Sequence, residues 1–305
     1  MKILVTGANG FIGKALTKEL LRQGHIVFAF VTNLNEMKDI ECENLKSFKL
    51  LFEDYYKIST LIMDNIDTCF HFAWAGLCGF SASDVELQLS DVKATYELLN
   101  QIIKLNCKKF IMASTMNTLE VRQLIADPLK HNPRKVSIHV ASKINAEIIA
   151  RVVCFDNHIQ FNEAIIAMAY GPNNMSKMIP NVIISKLLKG EEPKLVPGNN
   201  LYDIVYIDDI VSAMIAINEK GVDKQSYYVG HDDNRTFKDI FSEVGIIVNP
   251  NIKLRFGEYP EDNSIDYSLI DRKLLTKDTG WVPTAVFENS IKETVKWIQD
   301  NILLF

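Results

Sequence analysis

Three glycines, each three residues from the next, join a short apolar run to a helical pattern near the start of this 305-residue chain. Lys2-Ile3-Leu4-Val5-Thr6 reads as a strand, Gly7-Ala8-Asn9-Gly10-Phe11-Ile12-Gly13 as a turn, and Lys14 to Gln23 as a helix closed by Gly24. The first N–H groups of a helix have no partner within it, and the helix dipole favours an anion there. Strand, glycine turn and helix start in that order therefore form a cradle for the pyrophosphate of a dinucleotide. Gly7 suits the sharp turn, Gly10 a close backbone approach to phosphate, and Gly13 tight packing of helix on strand. Glycine turns also link strands to helices where no ligand binds. Here the next apolar run, Ile26 to Val31, begins just after Gly24, as a second parallel strand should.

Strand and helix patterns keep alternating through the first half. Lys46–Leu51 reads as a short strand, Tyr55–Met63 as a short helix and Thr68–Ala73 as a buried strand, with a loop from Trp74 to Ser83. Leu87, Val92, Tyr96, Leu99 and Ile103 recur at helical spacing between Asp84 and Leu105. Phe110–Ala113 is the next strand, His139 to Asp156 a long helix, and Ile159 to Ala169 a further strand. Repeated β-α units imply an α/β fold, a Rossmann-type doubly wound parallel sheet with helices on both faces. After Tyr170-Gly171-Pro172 the elements shorten: Pro180–Lys189, Leu201–Ile207, Asp208–Glu219, Ser226–Val229, Thr236–Val244, Lys253–Gly257 and Glu288–Asn301. They predict a smaller C-terminal α+β substrate lobe over the carboxyl ends of the strands. The expected division is 1–170 and 171–305, with the chain free to cross back between the two.

Bulk properties exclude several roles. At 48% hydrophobic and 23% charged, with net charge −5, the chain has no general attraction for nucleic acid or anionic lipid. Lys108-Lys109 reads as a solvated turn before a strand. Cys42, Cys69, Cys78, Cys107 and Cys154 are an odd number without CxxC spacing, which points to reduced core thiols and to no zinc site. A strand beginning at Lys2 leaves no room for a signal peptide, and no apolar run reaches spanning length. A cytoplasmic protein is expected.

The ordered motifs resemble the extended short-chain dehydrogenase/reductases, the NAD-dependent epimerase/dehydratase family that modifies nucleotide-linked sugars. The resemblance rests on Thr6 to Gly13, His71-Phe72-Ala73-Trp74-Ala75-Gly76, Ser114-Thr115, and Lys143 within HVASKINAE. Tyr170-Gly171-Pro172, the run Tyr202 to Asp209, and Thr279-Gly280-Trp281-Val282-Pro283 complete it, in family order over nearly the whole chain. The branch it resembles most makes deoxysugar precursors of surface polysaccharides. The resemblance implies hydride transfer between a nicotinamide and a sugar carbon, with Thr115 orienting the reacting oxygen and Lys143 binding the cofactor ribose. It implies cofactor contacts from Gly7, Asn9, Gly10, Phe11, Ile12, Gly13, Ala73 and Trp74, and substrate contacts from Met168, Asn181, Tyr202 and Asp203. It also implies a homodimer through a four-helix interface of the Asp84–Leu105 and His139–Asp156 helices.

Several departures from the family pattern stand out. The family's catalytic tyrosine, four residues before the lysine, is His139 here. A histidine titrates near working pH, and Lys143 would push it lower, but its ring is shorter than a phenol. It either exchanges the proton or merely starts the helix. Asp91 and Met168 stand where asparagines are usual, Ile165 where an arginine is, and Tyr202 where many members carry another. The second strand ends Phe30-Val31-Thr32-Asn33, with neither acid nor arginine. Without an acid to repel a 2′-phosphate, Thr32 or Asn33 could donate to one, or the two simply begin a solvated loop; the balance slightly favours NADP(H) over NAD(H).

Other residues read more plainly. His71 belongs to a buried strand and suits a packed core histidine. Asp208 and Asp209 open a helix, where carboxylates cap N–H groups. Trp74 either lines the cofactor pocket or covers the end of the sheet, and Tyr170 and Tyr206 suit packing better than proton donation. Two functions follow: a 4-keto-deoxysugar reductase or epimerase using His139, or a dinucleotide-binding protein with a regulatory role and no turnover.

Overall fold

A computed structural model gives the fold and describes residues 1–77, 79–260 and 265–304. Cys78 lies outside them. β1 (Lys2–Thr6) leads into α1 (Phe11–Arg22), then β2 (Ile26–Val31), β3 (Leu45–Lys49) and the single turn α2 (Ile58–Leu61). β4 (Thr68–His71) and α3 (Val85–Lys104) follow, then β5 (Lys109–Thr115), α4 (Asn117–Ala126), α5 (Ser137–Asp156) and β6 (Gln160–Ile166). The remaining chain forms β7 (Met168–Tyr170), α6 (Ile179–Leu188), β8 (Lys194–Leu195), β9 (Ile204–Tyr206), α7 (Ile207–Lys220) and β10 (Ser226–Val229). It ends with α8 (Phe237–Val248), β11 (Arg255–Phe256), α9 (Leu274–Thr279) and α10 (Phe287–Asp300).

The main sheet has seven strands in the order β10-β6-β5-β4-β1-β2-β3, every pair parallel. Alternation along each strand builds a core on both faces. Ile3, Val5, Val27 and Ala29 point to the side of α1 and α7, whereas Leu4, Phe28 and Phe30 point to the side of α3 and α5. Leu98, Leu99 and Ile102 of α3 are fully buried there, each contributing roughly 1.5–3 kcal/mol. No helix among the described residues is long and apolar enough to cross a membrane.

Several local expectations are corrected. The stretch read as one strand from Ile159 to Ala169 is two. β6 stays in the main sheet, and past Ala167 the short β7 pairs with β9 in a separate two-stranded sheet. β10 returns to the main sheet beside β6. Lys109 is not a solvated turn residue. It opens β5, buried, and its Nζ donates to the carbonyls of Ile217 and Asn218 at 3.1 and 2.8 Å, closing the end of α7. Asp209 does not cap α7, whose N-cap is Tyr206. Its carboxylate instead accepts from the backbone N–H groups of Thr284 and Ala285, which fastens a distant loop.

Candidate active site

The strand order reverses between β1 and β4, and the turns leaving those two strands meet where α/β sheets bind ligands. Gly7 has φ +67°, open to glycine and little else, and a Cβ there would lie 2.7 Å from the Ala73 backbone nitrogen. A Cβ on Gly13 would collide with the Gly7 carbonyl oxygen. Gly10 caps α1 and has no side chain to engage the first-turn N–H groups. Side chains at Gly7 and Gly13 would strike the surrounding backbone. Only glycine permits this tight turn with its helix-start N–H groups bare, which fits a dinucleotide pyrophosphate.

The adenosine end departs from expectation. Thr32 and Asn33 are tied into a polar cluster with Asn9 and Glu36. Asn9 Nδ2 donates to Thr32 Oγ1 at 3.1 Å and to the Glu36 carboxylate at 2.8 Å, and Asn33 Nδ2 donates to Glu36 at 3.1 Å. Asn33 Oδ1 accepts from Asn35 N, capping a short 3-10 turn over Leu34–Met37. That turn places the acid of Glu36 beside the cradle, five residues beyond the end of β2. Sequence reading missed Glu36 because the short 3-10 turn that carries it has no apolar periodicity to mark it.

Beneath the cradle a chain of hydrogen bonds settles His71. Thr95 Oγ1 donates to the Asp91 carbonyl, so it accepts from His71 Nε2 at 2.9 Å. The Ala73 N–H donates to Thr6 Oγ1, whose own proton goes to His71 Nδ1 at 2.7 Å. His71 is buried and neutral. Burial first, and then the Lys143 charge, push its pKa down to about 3. It is the core histidine its strand implied, tying the turns after β1 and β4 to α3.

The expected catalytic pair lies on α5. Lys143 is buried, its Nζ donating to the Ala113 carbonyl at 3.1 Å. That places the ammonium near the carboxyl end of β5, two residues before Thr115. Its pKa is lowered to about 7: desolvation outweighs the Asp91 and Glu163 carboxylates, which favour the charge. His139, one helical turn earlier, packs edge-on to Trp74 and shares a 3.1 Å hydrogen bond from Nδ1 to Gln88 Oε1. Burial and the Lys143 charge bring its pKa down to about 4. Trp74 is buried among these groups, with the Lys143 ammonium over its ring. The Thr115 hydroxyl accepts from Asn117 N at 3.3 Å.

Asp91, which stands where an asparagine is usual, is bonded within the protein. Its carboxylate accepts from the Ala75 N–H at 3.0 Å and holds the loop after β4. Gln88, one turn before it, is fully buried in the same cluster. Sequence reading missed Gln88, yet Gln88, Asp91 and Thr95 fall on one helical face, a polar stripe in a helix otherwise read by its apolar residues.

The substrate residues expected in the second lobe are mostly engaged internally. Asn181 is fully buried, donating to the carbonyls of Asn174 and Ser176 at 2.8 and 2.9 Å. Asp203 accepts from His231 N and Nδ1 and from the Tyr228 hydroxyl. Tyr202 packs against the rings of Phe237 and Phe241, and Met168 lies beside Asp203. Tyr170 bonds Ser290 and Tyr206 bonds Glu293, so both pack as expected. Among the described residues no cluster of three or more His, Cys, Asp or Glu could hold a metal ion.

Comparison with known proteins gives a family and a likeness of fold. The model of the NAD dependent epimerase/dehydratase family matches residues 3–230. The trifunctional UDP-glucose 4,6-dehydratase/UDP-4-keto-6-deoxy-D-glucose 3,5-epimerase/UDP-4-keto-L-rhamnose-reductase of Arabidopsis thaliana is 23% identical, over 98% of this chain and 47% of its own length. The chain spans about half the length of that curated relative. The CDP-abequose synthase of Salmonella typhimurium is 25% identical, over 96% of this chain and 97% of its own. The structure of UDP-glucuronic acid 4-epimerase from Bacillus cereus in complex with UDP-glucuronic acid and NAD matches with a TM-score of 0.80 and 21% identity. It covers 99% of this chain and 100% of that one, a likeness of fold.

Proposed function

The chain belongs to the NAD dependent epimerase/dehydratase family, and from that premise we propose that it is an oxidoreductase acting on a nucleotide-linked sugar. It reduces a 4-keto-deoxysugar, or inverts a carbon by way of such a ketone, in the supply of surface polysaccharide precursors. One observation carries this reading. His139 and Lys143 lie one turn apart on α5, with the Lys143 ammonium at the end of β5, beside an intact glycine cradle.

Each residue then has a task. The turn from Gly7 to Gly13, including Phe11 and Ile12, offers backbone N–H groups to the pyrophosphate. Lys143 has three donor protons and spends one on Ala113, leaving two for ribose hydroxyls. The Thr115 hydroxyl orients the reacting oxygen, and His139 exchanges its proton. The nicotinamide, when bound, supplies or removes the hydride. Met168, Asn181, Tyr202 and Asp203 shape the wall against which the sugar nucleotide rests.

The cofactor on this reading is NAD(H). A carboxylate at Glu36 accepts from ribose hydroxyls and repels a 2′-phosphate, which the absence of an acid at the end of β2 had left out of account. The protein is a cytoplasmic homodimer. Leu89 and Tyr96 of α3 and Ile148 and Val152 of α5 are exposed apolar residues on two helices packed together, a surface that suits a four-helix interface.

A second reading, a dinucleotide-binding protein without turnover, draws support from the Trp74 ring seated against Lys143. A screen of UDP-, dTDP- and CDP-linked 4-keto sugars, followed by NADH consumption, separates the two. Turnover that is lost in His139→Phe supports the enzyme. Tight NADH binding with no turnover of any sugar supports the second reading.

A further inference from the structure

The hydrogen bonds around Gln88 leave no freedom in the placement of protons. The Trp74 indole N–H is a donor only, so the Gln88 atom 2.9 Å from it must be the amide oxygen. On the other side Gln88 Nε2 faces two groups that only accept, the carbonyls of Gly76 at 2.8 Å and Ser81 at 3.1 Å. The usual ambiguity of an amide's orientation is thereby removed by its neighbours. Gly76 is part of the arrangement, since a Cβ there would collide with the Gln88 amide nitrogen.

The same Gln88 oxygen lies 3.1 Å from His139 Nδ1. An amide oxygen cannot donate, so Nδ1 must carry the proton. A neutral imidazole has one N–H, which leaves a lone pair on Nε2. Nε2 has no hydrogen-bond partner among the described residues.

We infer that Gln88 is a positioning residue that holds His139 in the Nδ1–H form, so that Nε2 meets the reacting oxygen as a proton acceptor. A phenol can give or take a proton through its one oxygen. The His139 ring divides those roles between two nitrogens, and Gln88 takes the donating one. In the acceptor step the O–H bond of a sugar hydroxyl breaks as an N–H bond forms at Nε2, and the ring becomes an imidazolium. Nε2 donates only from that imidazolium. Lys143 on the same helix opposes the imidazolium, while the Asp91 carboxylate of α3 and Glu163 of β6 face Lys143. This inference rests on the proposed role of His139, but its test does not need turnover.

The test is the ¹⁵N spectrum of histidine-labelled full-length protein without cofactor, with His139 assigned by its loss in His139→Phe. The expected wild-type result near neutral pH is a protonated, pyrrole-type Nδ1 and an unprotonated, pyridine-type Nε2. Gln88→Glu keeps the accepting oxygen toward His139, and as the acid it can give its proton to the Gly76 and Ser81 carbonyls, so the tautomer is kept. Gln88→Met removes the acceptor, and the two resonances move toward each other as the tautomers exchange. A protonated Nε2 in the wild type, or a Gln88→Met spectrum unchanged from it, overturns the inference. Should Gln88→Met not fold, the wild type and Gln88→Glu decide. The expected spectrum in a protein that turns over no sugar would overturn the proposed function and leave the tautomer standing.

Discussion

The Lys143 ammonium sits 3.9 Å from the centre of the Trp74 ring, stacked on the face of the indole. The ring's quadrupole favours the charged lysine by about 0.5–2 kcal/mol, while burial opposes it and brings the pKa to about 7. Lys143 is therefore poised between charged and neutral forms at working pH.

That balance gives a pH dependence with a definite sign. The ammonium donates to ribose hydroxyls below its pKa and loses charge above it. NADH affinity should fall as pH rises through about 7. Trp74→Leu removes the favourable face and moves the midpoint down by up to about one and a half units. Lys143→Met flattens the profile and weakens binding roughly tenfold or more, the worth of a hydrogen bond from a charged group. Calorimetric titration between pH 6 and pH 9 measures all three.

Glu36 decides between the two dinucleotides. The wild type should bind NADH ahead of NADPH. Glu36→Gln, which keeps the shape and removes the charge, should narrow that preference about tenfold, roughly 1.4 kcal/mol. Side-by-side titrations of both cofactors read it. A preference unaltered in Glu36→Gln would remove Glu36 from the site.

His71 makes the fold sensitive to acid. Its folded pKa of about 3 lies below the ordinary value of 6.5, so the unfolded chain takes up a proton that the folded one refuses. Stability is then complete above about pH 6.5 and falls as pH drops toward 3. By pH 5 the loss from this one residue is roughly 2 kcal/mol. Urea unfolding at pH 7 and pH 5 should show the slope, and His71→Asn should reduce it.

The alternation of strands and helices was legible from periodicity alone, and the glycine cradle from three residues. Less legible was anything set by contacts between distant segments. Asp209 looks like a cap from its place at the start of a helix, and only the approach of residues 284 and 285 turns it outward. The 10-residue helix α4 was missed between Thr115 and His139, because its apolar residues do not form a clear stripe. Asp91 stands out in sequence only as a replacement for asparagine, and its bond to the Ala75 N–H is set by a loop 16 residues away. The substitution of His139 was plain in sequence. Its consequence was not, because it depends on Gln88, 51 residues away.

A buried ionic network supports β6 from α5. Arg151 bonds Glu147 and the Ser226 hydroxyl, and lies 3.8 Å from the fully buried Glu163. Removing Arg151 takes a cation from beside Glu163 and leaves its carboxyl the Ser226 hydroxyl as donor. Arg151→Ala should therefore destabilise the fold by roughly 3 kcal/mol, the lower part of the range for breaking a buried pair, since Arg122 still holds Glu147. The urea midpoint measures it.

The most direct measurement of the central claim is equilibrium titration of the purified protein with NADH, wild type against Lys143→Met. The account predicts saturable micromolar binding to the wild type and a loss of tenfold or more in the variant. Binding of neither NADH nor NADPH, or equal binding to both proteins, would contradict it.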